Sequence, residues 1–167
     1  GISRNTGDNI GMLATLMNGL ALRDVFETQR IDCKLTSAVP LQGVAAGFDA
    51  HEAVSALQEE QVLIMAGGTG HPYFTTDTTA ALRSCELGAD AILKATQVNG
   101  VFSDDPRTNP EAYRFRRLSY SDALQRRLRI MDLTAFSLCR ENDIPIVVFN
   151  FRDENALSLI VRGEMWS

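Results

Sequence analysis

Two rhythms alternate along the chain. In residues 10–26 the apolar positions Ile10, Leu13, Ala14, Met17, Leu20, Ala21 and Val25 recur every three or four residues, which predicts a helix. Thr6 or Asp8 is its expected N-cap. "CKLTSAV" (33–39) reads as a short strand and turn. "DAHEAVSALQEEQ" (49–61) is helical, with Asp49 and then Glu52 in a capping arrangement. "QVLIMAG" is a continuous apolar run of strand length, followed by the helical "TTDTTAALRSCELG", which Gly88 closes. "ADAILKAT" (89–96) is a second buried strand, and "QVNGVFSDDPRTNP" (97–110) has loop and turn chemistry. "SYSDALQRRL" and "DLTAFSLCREND" are helices, "IPIVVFN" (144–150) is a third buried strand, and "DENALSLIVRG" is a final helix before Gly163.

Helices alternating with short, wholly apolar strands predict a mostly parallel sheet covered on both faces. There is no internal repeat, low-complexity segment or linker, so residues 1–167 read as one domain or part of one. In open parallel sheets, ligands bind beyond the carboxyl ends of the strands. Those places are 67–77, 96–105 and 150–153, and the first two have unusual chemistry.

The first, "GGTGHPYFTTD", is longer than a plain strand-to-helix connection and rich in glycine and hydroxyls. Gly67, Gly68 and Gly70 allow a ligand close to the backbone, and Thr69, Thr75 and Thr76 offer hydroxyls. The helix that follows aims its N–H groups at the loop, which suits a phosphate. An elaborate turn capped by Thr75 or Thr76 fits the composition equally well. The stretch is not a Walker A loop, because Gly-Lys-Ser/Thr is absent. Tyr73 and Phe74 are expected to wall the loop. Asp77 either complements the helix dipole or orders a lysine, a magnesium ion or a polar network near phosphates. Asp8 is either a cap or an acceptor for ligand hydroxyls such as those of a ribose.

In the second stretch, Lys94 either neutralises phosphate or extends from the strand end, and Phe102 either stacks on a base or fills core. Neither His51 nor His71 has a partner at a metal-ligand spacing, and no metal role is assigned to them.

Bulk numbers refine this picture modestly. With 45% hydrophobic and 22% charged residues the chain is ordinary for a globular protein. No run approaches 18 apolar residues, so no membrane span is expected, and no basic-then-apolar leader opens the chain, so the expected compartment is the cytoplasm. Cys33, Cys85 and Cys139 are isolated and read as free thiols. A net charge of −5 argues against nucleic acid and requires any phosphate to be held by local groups. Six arginines fall within "RFRRLSYSDALQRRLR" (114–129), which reads first as a solvated face.

Taken together, "GDNIGMLATLMNGLALRD", "LTSAVPL", "AGGTGHPYFTTDTTAALR", "ADAILKATQVNGVFSDDP" and "MDLTAFSLCRENDIPIVVFN" resemble the bacterial UMP kinases of the amino-acid kinase superfamily, from about residue 4 to 163. The resemblance implies a three-layer α/β/α fold, a homohexamer, and phosphoryl transfer from ATP with Mg²⁺ to UMP in pyrimidine nucleotide biosynthesis. By that resemblance Asp8 binds the UMP ribose. Thr69, Gly70, His71, Pro72, Tyr73, Phe74, Thr75 and Thr76 hold its phosphate. Lys94, Thr96, Phe102 and Asp105 take the ATP side, and Asp77 and Asp132 organise the phosphate region. His71 stands where the family usually has Asn. Glu27, Lys34 and Gln61 occupy positions tied to GTP activation in some members.

The family's opening Lys-x-Ser-Gly-Glu strand and Gly-Gly-Gly-Asn turn are not in the sequence. The chain therefore looks like it lacks the amino-terminal part, and alone it is expected to be inactive. A non-catalytic nucleotide-binding or assembly subunit of the same fold is the alternative. A carbamate or acyl phosphate acceptor is a third reading, which the "PYFTTD" loop disfavours.

Overall fold

The computed structural model describes residues 1–164; residues 165–167, the end of "RGEMWS", lie outside the described residues. The chain divides into two compact units, Gly1–Leu87 and Gly88–Ser167.

The first unit runs α1 (Arg4–Thr28), β1 (Cys33–Ser37), β2 (Ala46–Gly47), α2 (Ala50–Gln58), β3 (Val62–Ala66) and α3 (Thr76–Leu87). Strand β1 lies between β2 and β3 and is parallel to both, with Leu35 opposite Ile64 and Thr36 opposite Ala46. Side chains alternate across a strand, so the two faces separate cleanly. Leu35, Ile64 and Ala66 turn to α1 and meet Leu16, with Leu20 and Phe26 packed around them. Lys34, one residue along, lies on the other face and pairs with Glu52 of α2 at 2.8 Å. A helix–sheet–helix layering on parallel strands results, as the alternation of periods predicts.

Helix α1 begins earlier than its apolar pattern indicates. Ser3 is the N-cap, its Oγ accepting from the Thr6 N–H at 3.3 Å, so neither Thr6 nor Asp8 caps it. The added turn, "RNTGD", is polar and left no hydrophobic period to read. Gly19 lets α1 approach the sheet: a Cβ there would lie 2.9 Å from Leu35 Cδ1. The opposite face stays apolar and exposed through Ile10, Leu13, Met17 and Val25. Helix α2 begins as expected, with the Glu52 N–H donating to Asp49 Oδ1 at 2.9 Å. Its Ala53 and Ala56 are buried. Gly88 closes α3 in the left-handed region, as its position implies.

The second unit runs β4 (Ile92–Thr96), β5 (Val101–Phe102), β6 (Arg114–Phe115), α4 (Tyr120–Gln125), α5 (Leu133–Glu141), β7 (Ile146–Asn150) and α6 (Ala156–Val161). β4 and β7 are parallel, with Lys94 opposite Val148. Val147 and Phe149 pack on Ala156 and Ile160 of α6, together with Leu93. Tyr120 stacks edge-on against Phe136, and its phenol donates to the Ile144 carbonyl. Burial, aided by the neighbouring Cys139, pushes that phenol up to about 12. The loop expected over 97–110 contains β5, which pairs antiparallel with β6. Two-residue strands are too short to show a period. Cys139 is buried, Cys33 and Cys85 are partly so, and all three are free thiols.

One buried group in the first sheet is unsatisfied. Thr36 is 2% exposed, on the α2 side, and its Oγ1 has no hydrogen-bond partner among the described residues. An unmade buried hydrogen bond costs about 1–3 kcal/mol. Thr36→Val is therefore expected to hold stability constant or raise it by about 1 kcal/mol in urea unfolding. A clear loss would show that the hydroxyl is paired.

Candidate functional site

In the first unit the carboxyl end of β3 opens directly into the glycine-rich loop. Gly67, Gly68 and Gly70 all have positive φ, at 77°, 60° and 79°. At Gly67 the need for glycine is absolute in space as well as in φ. A Cβ there would lie 2.7 Å from Ser37 Oγ and 2.9 Å from the Val39 nitrogen. Ser37 Oγ is itself fixed, donating to the Val39 carbonyl at 2.8 Å and accepting from its N–H at 3.2 Å. The Gly67 N–H donates to Thr15 Oγ1 of α1 at 2.8 Å, and that hydroxyl donates to the Met12 carbonyl at 2.7 Å. The loop thus leaves the strand in a direction set by both β1 and α1.

Beyond the glycines the chain folds on itself. The Gly70 N–H donates to the Gly67 carbonyl at 3.0 Å. Thr69 Oγ1 accepts from the His71 N–H at 3.2 Å. The Tyr73 N–H donates to Asp8 Oδ2 at 2.8 Å, across 65 residues of sequence. Thr75 Oγ1 accepts from the Thr78 N–H at 3.2 Å, so Thr75 serves the start of α3 as a cap. Thr76 is the first helical residue and is exposed, and Asp77 sits in the first turn, where its charge complements the dipole. Pro72 is half-buried at the loop tip and His71 is exposed. Tyr73 and Phe74, expected to wall the loop, are 61% and 52% exposed in it.

Asp8 and the loop are therefore brought together, by α1 running beneath the loop. Two participants escaped sequence reasoning. Thr15 lies on the side of α1 away from the apolar positions Ile10, Leu13, Met17 and Val25, where pattern reading expects solvent. Arg4 lies 3.6 Å from Asp8 Oδ2, with its guanidinium 4.9 Å from the Tyr73 ring centre. Its i,i+4 spacing to Asp8 was a usable signal only once the helix was known to begin at Arg4.

In the second unit Thr96 ends β4. Its hydroxyl donates to the Val98 carbonyl at 2.8 Å and accepts from the Val98 N–H at 3.1 Å. Phe102 is half-buried in β5, and Lys94 is half-buried in β4. Asp105 receives the Arg107 guanidinium as a fork, at 3.1 and 3.0 Å, and the Arg107 N–H at 3.0 Å. Those hydrogen bonds hold its carboxyl below the usual carboxylate range. Asn109 does the same for Asp104. Asp132 is the N-cap of α5, its Oδ1 accepting from the Ala135 N–H at 3.0 Å. A cavity of about 800 Å³ is lined by Asn99, Val101, Arg114, Arg116, Tyr120 and Phe136 among others. Thr96, Phe102 and Asp105 are not among its described lining residues. Sequence reasoning did not foresee it, because its walls come from segments as far apart as Asp90 and Ile160.

Among the described residues no three His, Cys, Asp or Glu side chains gather into a metal site. Among them, too, no helix is long and apolar enough to cross a membrane.

Parallel strands under covering helices, with a glycine-rich loop at a strand's carboxyl end, define an α/β protein with a candidate site at the strand ends. The chain belongs to the amino acid kinase family, whose model matches residues 2–150. It is 47% identical over 164 residues to the uridylate kinase of Pseudoalteromonas translucida, covering 98% of this chain and 66% of that protein. It is 49% identical, with the same coverage, to the uridylate kinase of Yersinia enterocolitica. The chain thus spans about two thirds of the length of these relatives. Among solved structures, the UMP kinase of Ureaplasma parvum matches with a TM-score of 0.94 at 37% identity, over 98% of this chain and 70% of that one. The UMP kinase of Bacillus anthracis matches at 0.95 and 36% identity, over 99% and 68%.

Gly67→Ala tests the geometry of the loop. It combines a contact with backbone atoms and a positive φ, which costs about 1 kcal/mol by itself. Urea unfolding is expected to show a loss of about 2 kcal/mol or more. A loss under about 0.5 kcal/mol would show that the loop exit is not held as described.

Proposed function

We propose that the protein to which these residues belong transfers the γ-phosphoryl group of ATP to UMP, giving UDP and ADP, and that the first unit carries the acceptor site. The single observation that supports this most is the loop at 67–76. Beyond the buried Gly67, the half-buried Gly68 and Gly70 with positive φ, the exposed Thr75 and Thr76 and the start of α3 lie in the loop whose Tyr73 N–H is bonded to the carboxylate of Asp8. Neutral N–H groups and a helix dipole suit a phosphate in an acidic chain. The carboxylate suits the hydroxyls of a ribose. The likeness to uridylate kinases, over nearly the whole chain, supports UMP as the acceptor.

In this reading the N–H groups at the start of α3, with the Thr76 hydroxyl, hold the acceptor phosphate. Phosphoryl transfer depends on such positioning and on countering developing charge. Lys94, Thr96, Phe102 and Asp105 serve the ATP side, and Asp77 and Asp132 order the phosphate region. Magnesium enters this proposal with the ATP substrate, and no step is routed through it. Self-association, a hexamer in the fullest form of the proposal, is supported by the exposed apolar row Ile10, Leu13, Met17 and Val25 on α1.

The test is calorimetric binding of UMP, CMP, an amino acid and a non-hydrolysable ATP analogue to the chain. UMP is expected to bind better than CMP, and the amino acid not at all. Equal binding of CMP, or none of UMP, overturns the proposed acceptor. Thr76→Ala should weaken UMP by about tenfold or more, the loss of one hydrogen bond to a charged group being about 1.5–3 kcal/mol, and spare the ATP analogue. Unchanged UMP affinity refutes that placement of Thr76.

Asp132 separates two roles. Asparagine caps a helix about as well as aspartate, so Asp132→Asn in the full-length enzyme should melt within about 1 kcal/mol of the parent. The steady-state rate should nonetheless collapse. A normal rate would confine Asp132 to its cap.

A further inference from the structure

We infer that Arg4 is a positioning residue for the acceptor site, and that it divides the two oxygens of Asp8 between protein and ligand. The inference rests on the acceptor reading above and assigns a role to a residue that reading does not use.

Three observations meet at one place. The Tyr73 backbone has φ of 74°, a left-handed conformation that a bulky aromatic residue adopts only when its surroundings enforce it. Its N–H is held by Asp8 Oδ2 at 2.8 Å. Its ring is held by the Arg4 guanidinium, 4.9 Å from the ring centre, in a cation–π arrangement. Arg4 also lies 3.6 Å from Asp8 through Nε, and the atom it approaches is again Oδ2. Arg4 and Asp8 are one helical turn apart on α1, so both face the loop together.

The consequence concerns Oδ1. With Arg4 and the Tyr73 N–H both drawn to Oδ2, the carboxylate is fixed in rotation. Oδ1 takes no hydrogen bond among the described residues. It is left as an acceptor beside a loop built for phosphate, suited to a sugar hydroxyl. Without Arg4 the carboxylate turns more freely, the Tyr73 ring loses its cover, and the strained backbone at Tyr73 relaxes. Arg4 thus acts through Asp8 and Tyr73 and is not required to touch the ligand. Exposed pairs of this kind contribute little to global stability, so its effect is local.

The experiment compares the 167-residue chain with its Arg4→Ala and Arg4→Lys variants. Amide hydrogen exchange is read at Tyr73 and, as a reference, across β3. Affinities for UMP and 2′-deoxy-UMP are measured by calorimetry. In Arg4→Ala the Tyr73 amide is expected to exchange at least tenfold faster, with β3 and the melting temperature unchanged. UMP should bind five- to tenfold more weakly, and the preference for UMP over its deoxy analogue should shrink to under threefold. Lysine keeps a cation over the ring and should recover most of the loss. Unchanged exchange at Tyr73 overturns the inference, as does an unchanged preference for the ribonucleotide in a parent that shows one. If the parent binds neither nucleotide, the acceptor reading fails, and the exchange rate alone decides whether Arg4 holds the loop.

Discussion

The first unit depends on one hydrogen bond, from the Gly67 N–H to Thr15 Oγ1. It joins the end of β3 to the middle of α1, where Thr15 is already bonded to the Met12 carbonyl. The same glycine is packed against Ser37 at the end of β1, with no room for a Cβ. Helix, two strands and loop therefore converge on a single residue. Displacing it would shift the exit of the loop from the sheet, and with it every group between Gly68 and Thr76. A loop spanning 67–75 would otherwise be free to adopt many conformations, at an entropic cost of about 1–2 kcal/mol for each residue ordered on binding. Fixing it at Gly67, at Asp8 and at Thr75 moves most of that cost into folding.

What was legible in the sequence follows the physical range of each signal. Helices with an apolar stripe and strands with continuous apolar runs were readable, because period is a local property. Gly88 and Gly163 marked the ends of α3 and α6 for the same reason. The ends of α1, α2, α4 and α5 were not marked. There the left-handed position is held by Arg30, Glu60, Arg127 and Asp143, residues with no composition cue. Each accepts about 1 kcal/mol of strain that tertiary packing must offset. The start of α1 was missed because a polar first turn has no period, and β5 and β6 because a pair of two-residue strands is shorter than any window.

The candidate site was legible in part, and by the same logic. Three glycines and a run of hydroxyls after a strand are a local signal, and they led to the loop. That Asp8 lies against it came only from family resemblance, since the contact spans 65 residues. Thr15 acts on the Gly67 backbone, and Arg4 and Arg107 act on the side chains of Asp8 and Asp105. A residue whose task is to orient another leaves no composition pattern of its own, which is why the structure was needed to find them.

The two sets of proposed nucleotide residues differ in how far their polar atoms are already committed. In the first unit, Asp8 Oδ1 and the exposed Thr76 are open to a ligand, and the groups around them are fixed by the protein. In the second, the Thr96 hydroxyl closes the turn to Val98, and Asp105 is forked by Arg107. An ATP molecule that used those side chains would have to displace bonds already made, and a surface ion pair is weak enough to yield. The hydroxyl of Thr96 is harder to free, because releasing it would leave the Val98 backbone unpaired as well. The proposed contribution of Thr96 to ATP is therefore best met through its backbone at the strand end, with the side chain shaping the turn. The chain's net charge of −5 favours the same division of labour. Where no broad positive field exists to attract phosphate, affinity has to come from backbone N–H groups held in place before the ligand arrives.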